Sequence, residues 1–233
     1  MELNKYKNDG WGLSKRALSN LLDILNNMTY PINVIDFGSG HSTQFLYDYK
    51  DIYNKDISID SFDDSKEYMH PKATLVPLIE CSNKHFDKMM SKKELLPNVF
   101  KLRTNPVTTR QRNCFYDLSN IKLNKYDLVI LDGPNGNGRS LAFLHLIGRL
   151  NEKAIVVIDD TTASDSSYQY NFSEIFNSIF DAEELVSFES INDSFKIFRV
   201  KGLISKERNF IMNYISRTIL FYKYRFKRIK LWL

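Results

Sequence analysis

Apolar residues fall into two rhythms along this chain. In residues 14–27, SKRALSNLLDILNN, Leu18, Leu21, Leu22 and Leu25 return at steps of three and four. That is the spacing of one helical face, with Ser14 placed as N-cap and Pro31 beyond the end. Residues 32–37, INVIDF, form instead a short β-branched run, as expected of a strand buried on both faces of a parallel sheet. A helix from about Ser42 to Tyr49 should follow. The alternation recurs: strands at 56–62, 73–79, 126–133 and 153–160, helices at 139–150 and 170–180, then a closing pair of strands at 183–190 and 194–202. Strands alternating with helices predict an α/β domain, a mostly parallel seven-stranded sheet flanked by helices. Residues 80–120 carry the least pattern and are expected to hold a helix and loops over a sheet edge.

Composition narrows this further. A chain of 233 residues, 43% of them hydrophobic, can bury one continuous core without metals or disulfides. Its two cysteines, Cys81 and Cys114, form no CxxC pair, which argues against a disulfide scaffold or a structural zinc and for a reducing, cytoplasmic setting. No run of about 18 apolar residues could span a bilayer, and the first residues lack the apolar core of a secretory signal.

The net charge of +4 is unevenly placed: residues 203–233 hold eight Lys or Arg against one acid, +7, which leaves −3 on residues 1–202. Two units are therefore expected, a main domain over 1–202 and a basic segment over 203–233. A nucleic-acid partner is not expected for an acidic main domain. In the basic segment Ile211, Ile215, Ile219, Tyr222, Phe226, Ile229 and Leu233 recur at helical spacing with basic residues between them. It reads as an amphipathic helix, suited to peripheral contact with an anionic membrane or to a homo-oligomer interface.

Open parallel sheets bind ligands at the carboxyl ends of their strands, where strand order reverses. The residues there are Asp36, Gly38, Ser39, Gly40, Ser42 and Thr43 after the first strand and Asp60, Asp63 and Asp64 after the second. Asp132, Gly133 and Pro134 follow YDLVIL, and Asp159 with Asp160 ends AIVVI. Glycines at 38 and 40 allow a sharp turn close to a ligand, with the N–H groups of the next helix aimed at it. GSGHST lacks both the third glycine of a dinucleotide fingerprint and the lysine of a phosphate-binding loop, so neither ligand class is indicated.

The stretch VIDFGSGHST, followed by SFDDSKEY, resembles the cofactor-binding segments of class I S-adenosylmethionine-dependent methyltransferases. The resemblance spans roughly residues 10–200 and implies a Rossmann-like fold with S-adenosylmethionine as donor. It places Asp36, Gly38, Ser39, Gly40, Ser42 and Thr43 around the amino-acid part and sugar of the cofactor, and Asp63, with Asp60 as rival, on the ribose hydroxyls. Downstream, YDLVILDGPNGNGR and AIVVIDDT are similar to segments of glucuronoxylan-type polysaccharide O-methyltransferases and of metal-dependent catechol and macrolide-sugar methyltransferases. Those relatives imply a sugar or glycan acceptor and a divalent cation such as Mg²⁺ at Asp132, Asp159 and Asp160, with Asp132 also beside the cofactor. The catechol-type enzymes show Asp-Asn where Asp159-Asp160 stands.

Methyl transfer from a sulfonium needs an acceptor oxygen held in line with the methyl carbon, and a base or cation to activate it. Asp132 is the candidate base. Arg139 either contacts an acidic sugar or pairs with a neighbouring carboxylate, and His41 is the candidate functional histidine. Each has a plainer role beside it: Asp132 as a turn residue, Asp159-Asp160 as a helix N-cap, His145 as a packing histidine. Trp11 and Tyr68 are read as core aromatics, with an aromatic wall for adenine or a sugar as the alternative. A small catechol-like acceptor and a non-catalytic membrane- or nucleic-acid-associated module with the same fold are the alternative functions.

Overall fold

The computed structural model describes residues 1–6, 12–80, 105–106, 114–134, 137–161, 172–177, 179–190 and 193–204. Helix α1 (Lys15–Asn27) begins where its sequence signal lies, with the Ser14 hydroxyl accepting the Ala17 N–H at 3.1 Å. Strand β1 (Ile32–Phe37) leads through Gly38–Gly40 into α2 (His41–Ile52), and β2 (Ile57–Asp63) follows. Then come the short strands β3 (Thr74–Leu75), β4 (Leu78–Glu80), β5 (Asn105–Pro106) and β6 (Cys114–Tyr116), and the full-length β7 (Tyr126–Leu131). A 3₁₀ turn (Asn137–Leu141) and α3 (Ala142–Leu146) lead to β8 (Leu150–Asp159), α4 (Phe172–Asn177), β9 (Phe180–Glu189) and β10 (Ser194–Leu203).

Seven strands form one sheet in the order β3-β2-β1-β7-β8-β10-β9, parallel from β3 to β8, with β10 antiparallel to both its neighbours. This is a Rossmann-like α/β fold whose strand order reverses between β1 and β7. Both faces are covered. On one, Ile32 and Val34 of β1 with Leu128 and Ile130 of β7 pack against Leu18, Leu21 and Leu25 of α1 and Phe45 and Leu46 of α2. On the other, Ile35, Phe37, Val129 and Leu131 meet Phe143 of α3 and Phe172 and Phe176 of α4. Burial on both sides is why these strands read as unbroken apolar runs.

Three expectations are corrected. The apolar run 73–79 is not one strand: Pro77, which has no N–H to give a ladder, divides β3 in the large sheet from β4 in a second sheet of order β5-β4-β6. Of residues 80–120 the described parts hold the end of β4, β5, β6 and the turn that follows; the helix expected there falls on 81–104 and 107–113, outside the described residues. The helix expected over 139–150 shrinks to the 3₁₀ turn and α3, because Gly148 at φ +72° turns the chain and Leu150 already pairs with β7. Tyr68 is 67% exposed, so it is no core aromatic. Trp11 and the basic helix expected over 203–233 lie outside the described residues, apart from Leu203 and Ile204 at the end of β10. Among the described residues no helix is long and apolar enough to cross a membrane.

Replacing Ser14 by Ala should cost about 1 kcal/mol of stability, read by urea denaturation, because it strips a helix N-terminus of its side-chain acceptor. A loss below the error of the measurement would remove that role.

Candidate functional site

The β1–β7 boundary is built by two glycines in contact. Gly38 has φ +94°, and a Cβ added there would stand 2.5 Å from the Gly133 nitrogen and 2.9 Å from its Cα. A Cβ on Gly133 would lie 2.7 Å from Gly38 Cα and 2.6 Å from the Tyr116 hydroxyl. Backbone hydrogen bonds fasten this seam: the Phe37 carbonyl accepts from Asp132 N at 2.9 Å and Gly133 N at 2.6 Å, while Gly38 N donates to Phe62 O. Gly40, at φ +147°, differs. A Cβ there would meet nothing within 4 Å, so the chain stays open at the N-terminus of α2.

The polar residues of the β1–α2 segment divide into two networks. Asp36 is fully buried; its Oδ2 accepts the hydroxyls of Thr43 at 2.6 Å and Ser42 at 2.9 Å, and Thr43 also meets Ser61. Burial pushes this carboxyl up to about 7, against the pull of those two hydroxyls. Its other oxygen has no hydrogen-bond partner among the described residues. Ser39 serves the second network, donating to Asp63 Oδ2 at 3.1 Å and accepting from His70 N, while Ser65 N donates to Asp63 Oδ1 at 2.8 Å.

The two rival acids are thereby separated. Asp63 is the last residue of β2 and faces the glycine turn through Ser39. Asp60 sits three residues earlier, inside the strand, and accepts from the Tyr126 hydroxyl at 2.7 Å and Asn124 Nδ2 at 3.3 Å. The site expectation at Asp60 is therefore withdrawn: register points it at Tyr126 and away from the strand end. His41 is the exposed first residue of α2 and is tied to none of these groups.

Across the seam, Asp132, Asp159 and Asp160 converge, with one carboxylate oxygen of each lying within 4.8 Å of the others. Asp159 shares a hydrogen bond with Asp132. Burial raises both carboxyls, Asp132 to about 6 with Arg139 opposing the rise, and Asp159 well above the usual carboxylate range. Asp160 has a left-handed backbone, φ +53°, uncommon for a non-glycine residue.

Arg139 is fully buried beneath this cluster. Its Nε donates to Pro134 O at 3.0 Å, Nη1 to Asp159 O at 3.3 Å, and Nη2 pairs with Asp160 at 3.3 Å. It also stacks over Phe172, 5.2 Å from the ring centre. Of the two roles left open by the sequence, pairing with a carboxylate is the one present. Arg139 thus binds the turn after β7 to the end of β8, a structural task; as a catalytic group it is corrected to a positioning one. His145, stacked on Phe115 at 5.5 Å, is pushed down to about 3 by burial and stays neutral, as a packing histidine should. Tyr116 lies in a strand of three residues, too short to show a period along the chain.

No family model and no curated protein matches the chain. In three dimensions it is similar to precorrin-6y C5,15-methyltransferase from Geobacter metallireducens GS-15, at 14% identity over 84% of this chain and 96% of that one, with a TM-score of 0.43. It is also similar to the plantazolicin methyltransferase BpumL in complex with SAH, at 12% identity over 80% and 82% of the two chains and a TM-score of 0.40. A SAM-dependent methyltransferase from Aquifex aeolicus gives 12% identity, 86% and 98% coverage, and a TM-score of 0.40.

Gly38→Ala should destabilise the protein more than Gly148→Ala. Both substitutions force a side chain onto a positive φ, at about 1–3 kcal/mol, but only Gly38 adds a backbone collision. Equal losses in denaturant melts would mean that the seam yields.

Proposed function

We propose that the chain is an S-adenosylmethionine-dependent methyltransferase acting on a hydroxyl of a sugar or glycan. The observation that carries this reading is the placement of an open glycine turn at the reversal of strand order, with Asp63 on one side and Asp132 on the other. The cleft residues fit such a donor. Gly40 leaves room at the α2 N-terminus, and Asp63 has lone pairs left for two ribose hydroxyls. The buried, unpartnered oxygen of Asp36 suits a cationic group or a bridging water. The glycan acceptor rests on the Asp132-Gly133-Pro134 turn and the Arg139 that follows it, the segment resembling polysaccharide O-methyltransferases.

Bound S-adenosylmethionine would supply a methyl group on a positive sulfur: a C–O bond forms to the acceptor as the C–S bond breaks, leaving a neutral thioether. This chain must align the acceptor and remove its proton. Asp132, raised to about 6 by burial, is matched to accept a proton near neutral pH and stands at the end of β7 where Arg139 and the Gly38–Gly133 seam fix the turn. Asp132, Asp159 and Asp160 also form a hard oxygen donor set suited to Mg²⁺ or a similar cation. The carboxyls of Asp132 and Asp159, close enough to share a hydrogen bond, mark where such an ion's charge would be welcome. A bound cation would lower the acceptor hydroxyl's pKa.

Calorimetric titration should show saturable binding of S-adenosylhomocysteine, lost in Gly38→Arg and weakened about tenfold or more in Asp63→Ala, since hydrogen bonds to charged groups are worth about 1.5–3 kcal/mol. Absence of binding to the intact chain would overturn the donor. Titration of the EDTA-treated protein with Mn²⁺ should give one site, abolished in Asp159→Asn/Asp160→Asn; no uptake would remove the metal and leave Asp132 as base alone.

A further inference from the structure

Tyr116 belongs to β6 of the small antiparallel sheet, yet its side chain runs under the central sheet to the junction of β1 and β7. It is 1% exposed. Its ring lies nearly parallel to that of Phe37, the last residue of β1, at 6.0 Å and 13°, and edge-on to Phe115 at 5.2 Å. At the far end its hydroxyl comes against Gly133, occupying the space a side chain there would need. The phenol oxygen therefore sits at the strand ends, against the turn after β7 and within the field of Asp63, Asp64, Asp132 and Arg139.

This edge is rich in acceptors. The hydroxyls of Ser39, Ser42 and Thr43 already donate to Asp63 and Asp36, and the acids themselves only accept. The Tyr116 hydroxyl sits against the Gly133 backbone, at the end of this edge. Burial and the surrounding carboxylates raise its ionisation well above the ordinary phenol range, so it keeps its proton and remains a donor at any physiological pH.

We propose that the Tyr116 hydroxyl donates a hydrogen bond to the nucleoside part of the ligand held at the Gly38–Gly133 edge, making Tyr116 a binding residue supplied by the small sheet. The proposal rests on the donor reading above and adds the contact that ties β4–β6 to the cleft. An adenine ring nitrogen or a ribose oxygen is the matching acceptor, where the carboxylates alone could recognise only donors.

Tyr116→Phe removes one oxygen and keeps the ring on Phe37. Its affinity for S-adenosylhomocysteine should fall about three- to tenfold by calorimetry, the loss of one hydrogen bond, with the melting temperature of the free protein kept. Unchanged affinity would overturn the proposal, and so would a fall in affinity that only follows a fall in melting temperature. A second measurement keeps the native hydroxyl: 3-fluorotyrosine at position 116 should shift its ¹⁹F resonance on addition of S-adenosylhomocysteine, and an unmoved resonance at saturation would equally sink the idea. An intact chain that binds no S-adenosylhomocysteine defeats the donor reading itself, whereas binding that ignores Tyr116 defeats this contact alone.

Discussion

The approach of Gly38 to Gly133 is the constraint on which the rest of the site depends. Two parallel strands that diverge at their carboxyl ends would ordinarily leave a gap. Here the Phe37 carbonyl draws in both Asp132 N and Gly133 N, and the backbones meet with no space for a side chain on either glycine. The turn after β7 is thereby locked to the turn after β1. Asp63, Asp132 and the α2 N-terminus are held in one frame without relying on any loop's own stability. A cleft made by backbone contact is stiff, and stiffness at the first contacts lowers the ordering cost of binding.

Charge is managed by the same economy. Three carboxylates lie within reach of one another at the ends of β7 and β8, and the fold sets a buried arginine beneath them. Arg139 spends its donors on Pro134, Asp159 and Asp160, so it holds the acids in place as it offsets their repulsion. On the other side of the seam Asp36 is buried with no cation beside it among the described residues, and two hydroxyls compensate only part of the cost. An excess of buried negative potential on both sides is what a positively charged ligand would relieve.

Much of this was legible in the residues because each main strand is buried on both faces and ends abruptly in glycine or aspartate. INVIDF and YDLVIL could hardly be anything else, and their last residues pointed to Asp36, Gly38 and Asp132. What stayed hidden depended on register or on partners distant in sequence. Asp60 and Asp63 differ by three residues on one strand, and only the pairing of Tyr126 with Asp60 separates them. The helical spacing after Arg139 runs on past α3 because Leu150, though in phase, opens β8. The small sheet escaped notice because strands of two or three residues carry no period, and with it went Tyr116.

A crystal structure of the chain grown with S-adenosylhomocysteine would test the central claim most directly. The account predicts the ligand at the carboxyl ends of β1, β2 and β7, its ribose against Asp63, its amino-acid part over Gly38–Gly40 and its sulfur facing Asp132. Ligand density anywhere else on the molecule, or a cleft that stays empty at saturating ligand, would contradict it.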